Sequence, residues 1–591
     1  MMAEESFKTI SEALAPTSFT APATRALVEQ YGTPSPLAYD KQLASRILEL
    51  EHDIRMLKTC RNSNRPVNRL PAEVLSHIFL ILYWTVQAEA AENQKVFWIY
   101  ATHVCRQWRA VALGCAALWS DFACNMHGEL MRTILPRSKN LSISVSLKCD
   151  GATDMEALGE VLSHTTRIRH LDLSSTGFDL PSYSVALERM GPRAPLLTTL
   201  SVSYVAPMDD ECLPEDFLKD GAPSLKHLTL KNFDLHWARI PFSPALTTLH
   251  LVQSVPVHRE FAEMLETFRG LQLLEELTLN DIFPQDGFQP GMKPVTLSKL
   301  KHLSLTGWGH VIGNFLLGIR VPKTTFIDLT FTNPAEWTSE VDACVASIRK
   351  LWRDDPSEWA KDSIEFFDFT ALAKSPLKLA FRFDDVPESL DWEHHDDPHL
   401  TVNFLPSSTG NPDIVFLAFF REHFNLDSLS MLRFAGNSQR LARRPVLEAF
   451  FAHLPMLQSI IFVECDMTDF LHILDDDPAC HVEPESEEDS AVDSTDVTAC
   501  FPALHFLEIY DQHFKGNRIN TIIRVLGKRP KGHRIGDLII EDCINIDEMA
   551  AERIKEALPN LYSFAWSKKV TMDDPASDLE TFRDLQDEPE F

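Results

Sequence analysis

Hydrophobic residues follow a helical spacing in the N-terminal part of the chain and a strand-like spacing after it. In residues 37–62, alternating steps of four and three separate Leu43, Ile47, Leu50, Ile54 and Leu57. Such steps place side chains on one side of a helix. The pattern predicts an amphipathic helix whose stripe either packs on the neighbouring domain or pairs with another chain, since two heptads are by themselves too little evidence for a stable dimeric coiled coil.

Residues 68–122 contain two further helical blocks. The first, NRLPAEVLSHIFLIL, places a proline at the predicted start of a helix and apolar residues at helical spacing behind it. The second, YATHVCRQWRAVALGCAALWSDF, predicts a helix with one apolar face, followed by a short apolar element that ends in Leu118 and Trp119. The segment therefore reads as a small all-α unit.

Beyond about residue 165 a unit of the form LxxLxL recurs, as in IRHLDL, LKHLTL and LEELTL. Most copies are separated by roughly 20 to 29 residues, the period of leucine-rich repeats. Alternation within LxL predicts a strand that buries every second residue. The fourth positions are Leu171, Leu200, Leu228, Leu249, Leu277, Leu303 and Ile327, and then Leu432, Ile460, Leu507, Leu538 and Phe564. These repeats predict an α/β domain over residues 135–570, with extra or irregular strands between 330 and 428.

Three segments lack such a period. Residues 1–36 are rich in Ala, Pro, Ser and Thr and predict a disordered leader. Residues 475–496 contain ten carboxylates and neither Lys nor Arg, which predicts an acidic loop inserted in one repeat. Residues 571–591 form an acidic tail.

The charge and the cysteines exclude several classes of protein. The formal net charge is -30, from 85 acidic and 55 basic side chains, so the mean field repels nucleic acid and favours basic partners. No signal peptide and no apolar run of about 20 residues is visible, which predicts a cytoplasmic or nuclear protein without a membrane span. The eleven cysteines include no CxxC pair, which favours reduced thiols over disulfides or a zinc ribbon.

The two blocks in residues 68–122 resemble the F-box, a short helical motif. Its signature is Leu-Pro-x-Glu-(Ile/Val)-Leu, then Val-Cys-(Arg/Lys)-x-Trp-Arg, and a closing Leu-Trp. The matching residues are Leu70, Pro71, Glu73, Val74 and Leu75, then Val104, Cys105, Arg106, Trp108 and Arg109, then Leu118 and Trp119. The helix before the motif and the loose repeats after it are also similar to fungal F-box proteins. The polar connection from Tyr83 to Ala101 is longer than in compact members.

This resemblance implies an adaptor as partner, because F-box proteins lay their helices into a hydrophobic groove of the small Skp adaptor of cullin-RING ligases. Carried onto matching positions, the implied adaptor-binding residues are Leu70, Pro71, Val74, Leu75, Ile78, Phe79, Val104, Cys105, Trp108 and Trp119. For each of them, plain packing inside the helical unit is the alternative. The implied function is a non-catalytic substrate receptor of an SCF-type ligase, with no cofactor and no metal.

The target would then bind the outward face of the strands. On the repeat register, the outward candidates for target binding are His250, Arg433, Glu508 and Tyr510, and for each a solvated strand residue is the alternative. A runner-up function is a protein-interaction scaffold that takes no part in ubiquitin transfer. An enzyme is disfavoured, since GxSxG, a glycine-rich dinucleotide turn and kinase signatures are all absent.

Two other clusters have ordinary interpretations beside the functional ones. The sequence DWEHHDDPH at 391–399 suggests a metal site, but its adjacent residues point apart on most backbones, and a solvated loop is the alternative. The basic run RVLGKRPKGHR at 524–534 either grips an acidic target or complements the end of a helix. Cys465 and Cys543 follow strands where leucine-rich repeats favour Asn or Cys, which predicts structural turn residues.

Overall fold

The structure is a computed structural model. It describes residues 21–30, 36–89, 97–123, 128–175, 183–205, 212–232, 237–252, 260–284, 286–322, 324–332, 337–351, 366–371, 377–382, 400–404, 412–424, 426–436, 440–477, 499–514 and 517–567. The chain divides into two compact units, Met1–Ser146 and Leu147–Phe591. The predicted acidic tail and all but the first three residues of the predicted acidic loop lie outside the described residues.

The first unit is mainly helical. Its α-helices are α1 (Pro22–Glu29), α2 (Pro36–Ser63), α3 (Ala72–Glu89), α4 (Arg106–Gly114) and α5 (Gly128–Arg137). Short 3-10 helices span Pro66–Arg69, Phe97–His103 and Ala116–Trp119. Strand β1 (Asp121–Ala123) pairs in parallel with the first part of β2 (Ile143–Cys149). The predicted start of the repeat domain at 135 therefore falls inside α5.

Helix α1 corrects the prediction of a disordered leader for residues 22–29, while residues 1–20 lie outside the described residues. Pro22 is the first residue of the helix, where its missing N–H leaves no bond unmade. Two side chains of α2 also hold α1: the Tyr39 hydroxyl donates to the carbonyl of Leu27 at 3.0 Å, and Arg46 Nε donates to Thr24 Oγ1 at 3.1 Å. The composition of the leader did not predict this helix of eight residues, because the stability of the helix comes from contacts with α2 rather than from the sequence pattern of the helix.

Parallel strands dominate the second unit. In chain order they are β3 (Ile168–Ser175), β4 (Thr199–Ser203), β5 (His227–Lys231), β6 (Thr248–Val252), β7 (Glu276–Asn280), β9 (His302–Gly307) and β11 (Phe326–Phe331), each pairing with the next. A second parallel run consists of β15 (Met431–Gly436), β16 (Ser459–Val463), β17 (Phe506–Tyr510), β18 (Asp537–Glu541) and β19 (Ser563–Trp566). Strands β8 (Val295–Thr296) and β10 (Ile319–Arg320) form a separate parallel pair.

The predicted strand register is confirmed. Leu171, Leu200, Leu228, Leu249, Leu277, Leu303 and Ile327 are successive register partners across the first run. Leu432, Ile460, Leu507, Leu538 and Phe564 are successive partners across the second. All but Phe564, which lies on the last strand, are buried, so alternate side chains of each strand form one continuous apolar layer.

The two runs are joined by the extra strands expected between 330 and 428. These are β12 (Phe366–Ala371), β13 (Leu377–Arg382) and β14 (Leu400–Phe404). Strand β14 pairs in parallel with β11, and β12 pairs in parallel with β15. Strand β13 lies between β12 and β14 and is antiparallel to both. The sheet therefore continues across the interruption with one strand reversed.

Helices return the chain between many of the strands. They are α6 (Met155–Leu162), α7 (Ser184–Leu187), α8 (Phe261–Arg269), α9 (Gly309–Gly318), α10 (Trp337–Leu351), α11 (Pro412–His423), α12 (Arg444–Phe450), α13 (Thr468–Asp475), α14 (Arg518–Lys528) and α15 (Glu548–Ala557). Further 3-10 helices span Thr165–Arg167, Trp237–Arg239 and Lys531–His533. Within the described ranges, no helix combines the length and apolar character needed to cross a bilayer.

Turn residues in a left-handed conformation follow several strands directly. Asn232, Asp281, Asp511 and Asp542 have φ values of 62°, 52°, 50° and 52° after β5, β7, β17 and β18. Asn and Asp tolerate this region better than other side chains that carry a Cβ. Cys543, one position after Asp542, is a buried free thiol whose Sγ accepts a bond from Gln512 N at 3.4 Å and lies 3.2 Å from the carbonyl of Glu541. Its predicted structural role at a turn is confirmed.

Candidate functional site

Helix α3 is apolar around most of its circumference, and one side of it forms the core of the 68–122 segment. Leu75, Phe79 and Tyr83, four residues apart, are only 0%, 2% and 3% exposed. The ring of Phe79 lies 5.2 Å from that of Trp108 on α4. The Tyr83 hydroxyl donates a hydrogen bond to the carboxylate of Asp121. This side of α3 therefore fixes the helix within the unit.

Polar bonds hold the rest of the segment in place. Trp108 Nε1 donates to Asn68 Oδ1 at 2.7 Å, and Asn68 Nδ2 donates to the carbonyl of Asn62 at 2.7 Å, which connects α4 with the end of α2. Cys105 is the N-cap of α4, and its Sγ accepts the backbone N–H of Trp108 at 3.5 Å. Trp119 is 2% exposed and its Nε1 donates to the carbonyl of Ala112 at 2.7 Å.

A second side of α3, adjacent to the buried one, is apolar and exposed. Val74, Ile78, Ile81 and Leu82 are 42%, 41%, 66% and 41% exposed, and their spacing of four, three and one places them on one stripe. Trp84 on the same helix is 61% exposed. A helix that is apolar nearly all round is normally buried on all sides. We call Val74, Ile78, Ile81 and Leu82 the α3 stripe.

A neighbouring segment adds exposed apolar residues. The 3-10 helix Phe97–His103 packs against both α3 and α4. Tyr100 in this segment is 66% exposed, and Val104 directly after it is 57% exposed. The apolar surface of the unit therefore extends beyond a single helix.

The predicted adaptor-binding residues separate into three groups by exposure. Val74, Ile78, Val104 and Pro71 are exposed, and Leu70, Cys105 and Trp108 are half-buried. Leu75, Phe79 and Trp119 are buried inside the unit, so direct adaptor contact by these three is corrected to core packing. The reason is geometric: positions 75 and 79 lie on the Tyr83 side of α3, whereas 74 and 78 lie on the α3 stripe.

Sequence reasoning missed part of the exposed surface. Ile81 and Trp84 on α3, and Tyr100 after it, were not among the predicted residues although all three are more than half exposed. The spacing from Val74 to Ile81 is seven residues and provides a signal for Ile81. Nothing in the sequence pattern distinguishes the inward from the outward side of a helix that is apolar on both.

The strand face of the second unit opposite the buried layer is polar along its first run. Asp172, Ser201, Thr229, His250, Thr278, Ser304 and Asp328 form one register row, and each is at least partly exposed. His250 Nε2 lies 3.8 Å from Glu276 Oε2. Burial lowers the pKa of His250, an effect that the Glu276 carboxylate opposes. His250 therefore remains available as a partly exposed polar residue in this row.

The second run differs, and it corrects two of the predicted target-binding residues. Glu508 and Tyr510 lie on the face opposite Leu507 and Ile509, as predicted, but they are only 3% and 7% exposed. Tyr510 forms an apolar cluster on this face with Met431 and Ile461, and Val463 and Ile539 pack against it. Because neighbouring strands supply large apolar side chains here, neither residue is open to a target. Arg433, in the same row as Ile461 and Glu508, is half-buried.

The basic run at 524–534 is engaged within the chain. Arg524 and Lys528 both pair with Asp475 on α13, and they lower the pKa of this carboxyl to about 2. Arg529 is 2% exposed and donates from Nη2 to the carbonyl of Phe501 at 2.8 Å. These contacts favour a structural role for the run.

No metal centre emerges from the described residues, in which no group of three or more His, Cys, Asp or Glu side chains is arranged to hold an ion. The suggested metal site at 391–399 lies outside the described residues. Comparisons with models of protein families and with curated proteins give no match to this chain.

Proposed function

We propose that this chain is the substrate-recognition subunit of an SCF-type cullin-RING ubiquitin ligase. In this proposal residues 68–122 are an F-box that binds a Skp-type adaptor, and the parallel strands of the second unit form an irregular leucine-rich-repeat-like solenoid that binds a protein target. The chain supplies proximity and orientation, while other subunits carry out ubiquitin transfer. Its place of action would be the cytoplasm or nucleus.

The exposed α3 stripe is the observation that carries the proposal. Contiguous apolar residues on a protein surface mark binding sites, and a helix face of this kind fits an apolar groove. The inward side of α3 is held rigidly by Phe79, Trp108 and the bond from Tyr83 to Asp121. The stripe is therefore presented in a fixed orientation, which lowers the entropy lost on binding. Truncating a central anchor should cost about 2–4 kcal/mol of binding free energy.

The test compares matched exposed residues. In the full-length chain, Ile78→Asp and Val104→Asp are expected to abolish co-purification with a Skp-type adaptor, because each buries a charge in an apolar interface. Val185→Asp is the control, since Val185 lies in the second unit and is 55% exposed, close to the 57% of Val104. Circular dichroism checks that each variant folds. Unchanged adaptor binding by both Ile78→Asp and Val104→Asp would refute the proposal.

Co-purification of a cullin distinguishes a receptor subunit from a scaffold that binds the adaptor without taking part in ubiquitin transfer. A receptor subunit is expected to co-purify with both the adaptor and a cullin, and to lose both in Ile78→Asp. A scaffold retains the adaptor and recruits no cullin. This second outcome would keep the F-box assignment and reject the ligase function.

A further inference from the structure

Helix α2 leaves part of its apolar stripe exposed. The helix has 28 residues, and Ile47, Ile54 and Leu57 are 55%, 49% and 70% exposed. Helix α1 contacts α2 through Tyr39 and Arg46, toward its N-terminal end. Leu43 and Leu50 of the same stripe are half-buried. The exposure of Ile47, Ile54 and Leu57 supports the alternative of pairing with another chain.

We propose that α2 pairs in parallel and in register with α2 of a second copy of this chain, as a two-stranded coiled coil. The stripe fits the heptad when Leu43, Leu50 and Leu57 take position d and Ile47 and Ile54 take position a. Isoleucine at a with leucine at d favours two parallel strands over three or four. The occupant of the stripe is then the same stripe of the second copy.

Charged residues beside the stripe are complementary in this arrangement. In a parallel coiled coil each g residue faces the e residue of the following heptad in the partner helix. Asp53 at g then faces Lys58 at e of the second copy, and this contact occurs twice by symmetry. Both side chains are exposed, and neither forms an ion pair with another residue in the described part of the chain. They are thus available for the contact.

The other g–e pair requires an exchange of partners. Arg46 at g would face Glu51 at e of the second copy. Within one chain Arg46 pairs with Glu49 at 2.7 Å and contacts Thr24, whereas Glu51 pairs with Arg55 at 3.1 Å. The contact between Asp53 and Lys58 therefore decides the orientation.

The reverse orientation loses the contact between Asp53 and Lys58. In an antiparallel pair, g residues face g residues and e residues face e residues. In one antiparallel register Asp53 would face Asp53 and Glu51 would face Glu51 of the second copy. In the other Asp53 would face Arg46, and in neither register does Asp53 face Lys58. Like charges at such positions are destabilising. The heptad core and the charges beside it therefore agree on the parallel register.

This inference does not depend on the proposed function, because the α2 stripe and the α3 stripe are separate surfaces. If both hold, each assembly contains two adaptor-binding surfaces and two target-binding surfaces. Linked binding sites raise the apparent affinity for a target with two matching epitopes. Failure of the adaptor test would leave the dimer intact, and failure of the dimer test would leave adaptor binding intact.

The first experiment measures the mass of the purified full-length chain by sedimentation equilibrium. The expected mass is twice the 67.0 kDa of one chain. The double variant Ile47→Asp with Ile54→Asp is expected to be monomeric, because it buries four carboxylates in the dimer core. Leu48→Asp is the matched control: Leu48 is 62% exposed on the same helix but lies outside the a and d positions, so this variant should remain dimeric. A monomeric wild-type chain, or equal masses for the double variant and the control, would overturn the proposal.

A charge exchange tests the orientation. Asp53→Lys and Lys58→Asp should each weaken the dimer about tenfold, since each converts two attractive contacts into two repulsive ones. Combining them restores opposite charges and should restore the wild-type dissociation constant. In an antiparallel dimer Lys58 would face no charged residue of the second copy, so Lys58→Asp would change little. That result, or failure of the combined variant to recover, rejects the parallel pairing.

Discussion

At the scale of single residues, Glu508 is unusual because it carries a carboxyl group on a strand and is only 3% exposed. Its Oε2 accepts a bond from the Tyr510 hydroxyl at 2.9 Å, while Oε1 has no hydrogen-bond partner among the described residues. Burial raises the pKa of Glu508, and the bond from Tyr510 and the charge of Arg433 oppose that shift. Burial dominates, so the Glu508 carboxyl keeps its proton to a higher pH in the folded chain than in the unfolded chain.

This shift predicts how stability depends on pH. Between the ordinary pKa and the raised pKa, the folded chain binds a proton that the unfolded chain has lost, so the free energy of unfolding falls as pH rises. Glu508→Gln has no proton to lose. We expect the stability of the wild-type chain, relative to Glu508→Gln, to decrease in urea unfolding as pH rises above about 4, the ordinary pKa of a glutamate. A difference that stays constant or increases would show that Glu508 is charged in the folded chain; Glu552→Gln, at an exposed position of α15, controls for the removal of one carboxyl.

At the scale of elements, the close approach of α9 and α10 depends on a glycine. A methyl group at Gly313 would lie 3.0 Å from the Cα of Cys344 and 3.3 Å from its backbone nitrogen. Backbone atoms of a packed helix cannot move aside as a flexible side chain does. Gly313→Ala should therefore destabilise the unit by about 1–3 kcal/mol although alanine favours helices. Gly527→Ala on α14 meets only Leu558 Cδ2 at 3.7 Å and should stabilise by about 0.5–1 kcal/mol. Equal effects of the two substitutions in urea unfolding would contradict this account.

The elements also mark the limit of what the sequence predicts. Strand positions follow from the LxL alternation, and the register partners Leu228, Leu249 and Leu277 were predicted because apolar burial alone specifies them. The antiparallel pairing of β13 was not predicted, since no local sequence pattern encodes the direction of a strand within a sheet. The burial of Glu508 was missed for a similar reason: it depends on Met431, Ile461 and Tyr510, which come from three different strands. On α3, the resemblance to the F-box placed Leu75 and Val74 in the same candidate set, although Leu75 is buried and Val74 is exposed.

At the scale of the whole molecule, the formal net charge of -30 is the dominant electrostatic feature. Like charges repel more in the compact chain than in the unfolded chain, and salt screens this repulsion. Salt also weakens favourable surface pairs such as those of Asp475 with Arg524 and Lys528, but exposed pairs contribute little each. Repulsion should therefore dominate the balance.

We accordingly expect salt to stabilise the folded chain. The midpoint of urea unfolding should rise when sodium chloride increases from roughly 20 mM to about 0.5 M, a range over which the screening length shrinks severalfold. The Asp475→Asn variant, which removes the carboxylate shared by Arg524 and Lys528, should show a slightly larger increase because it has fewer attractive pairs to lose. A midpoint that falls with salt in the wild-type chain would mean that attractive pairs, rather than the excess of carboxylates, set the electrostatic energy of this fold.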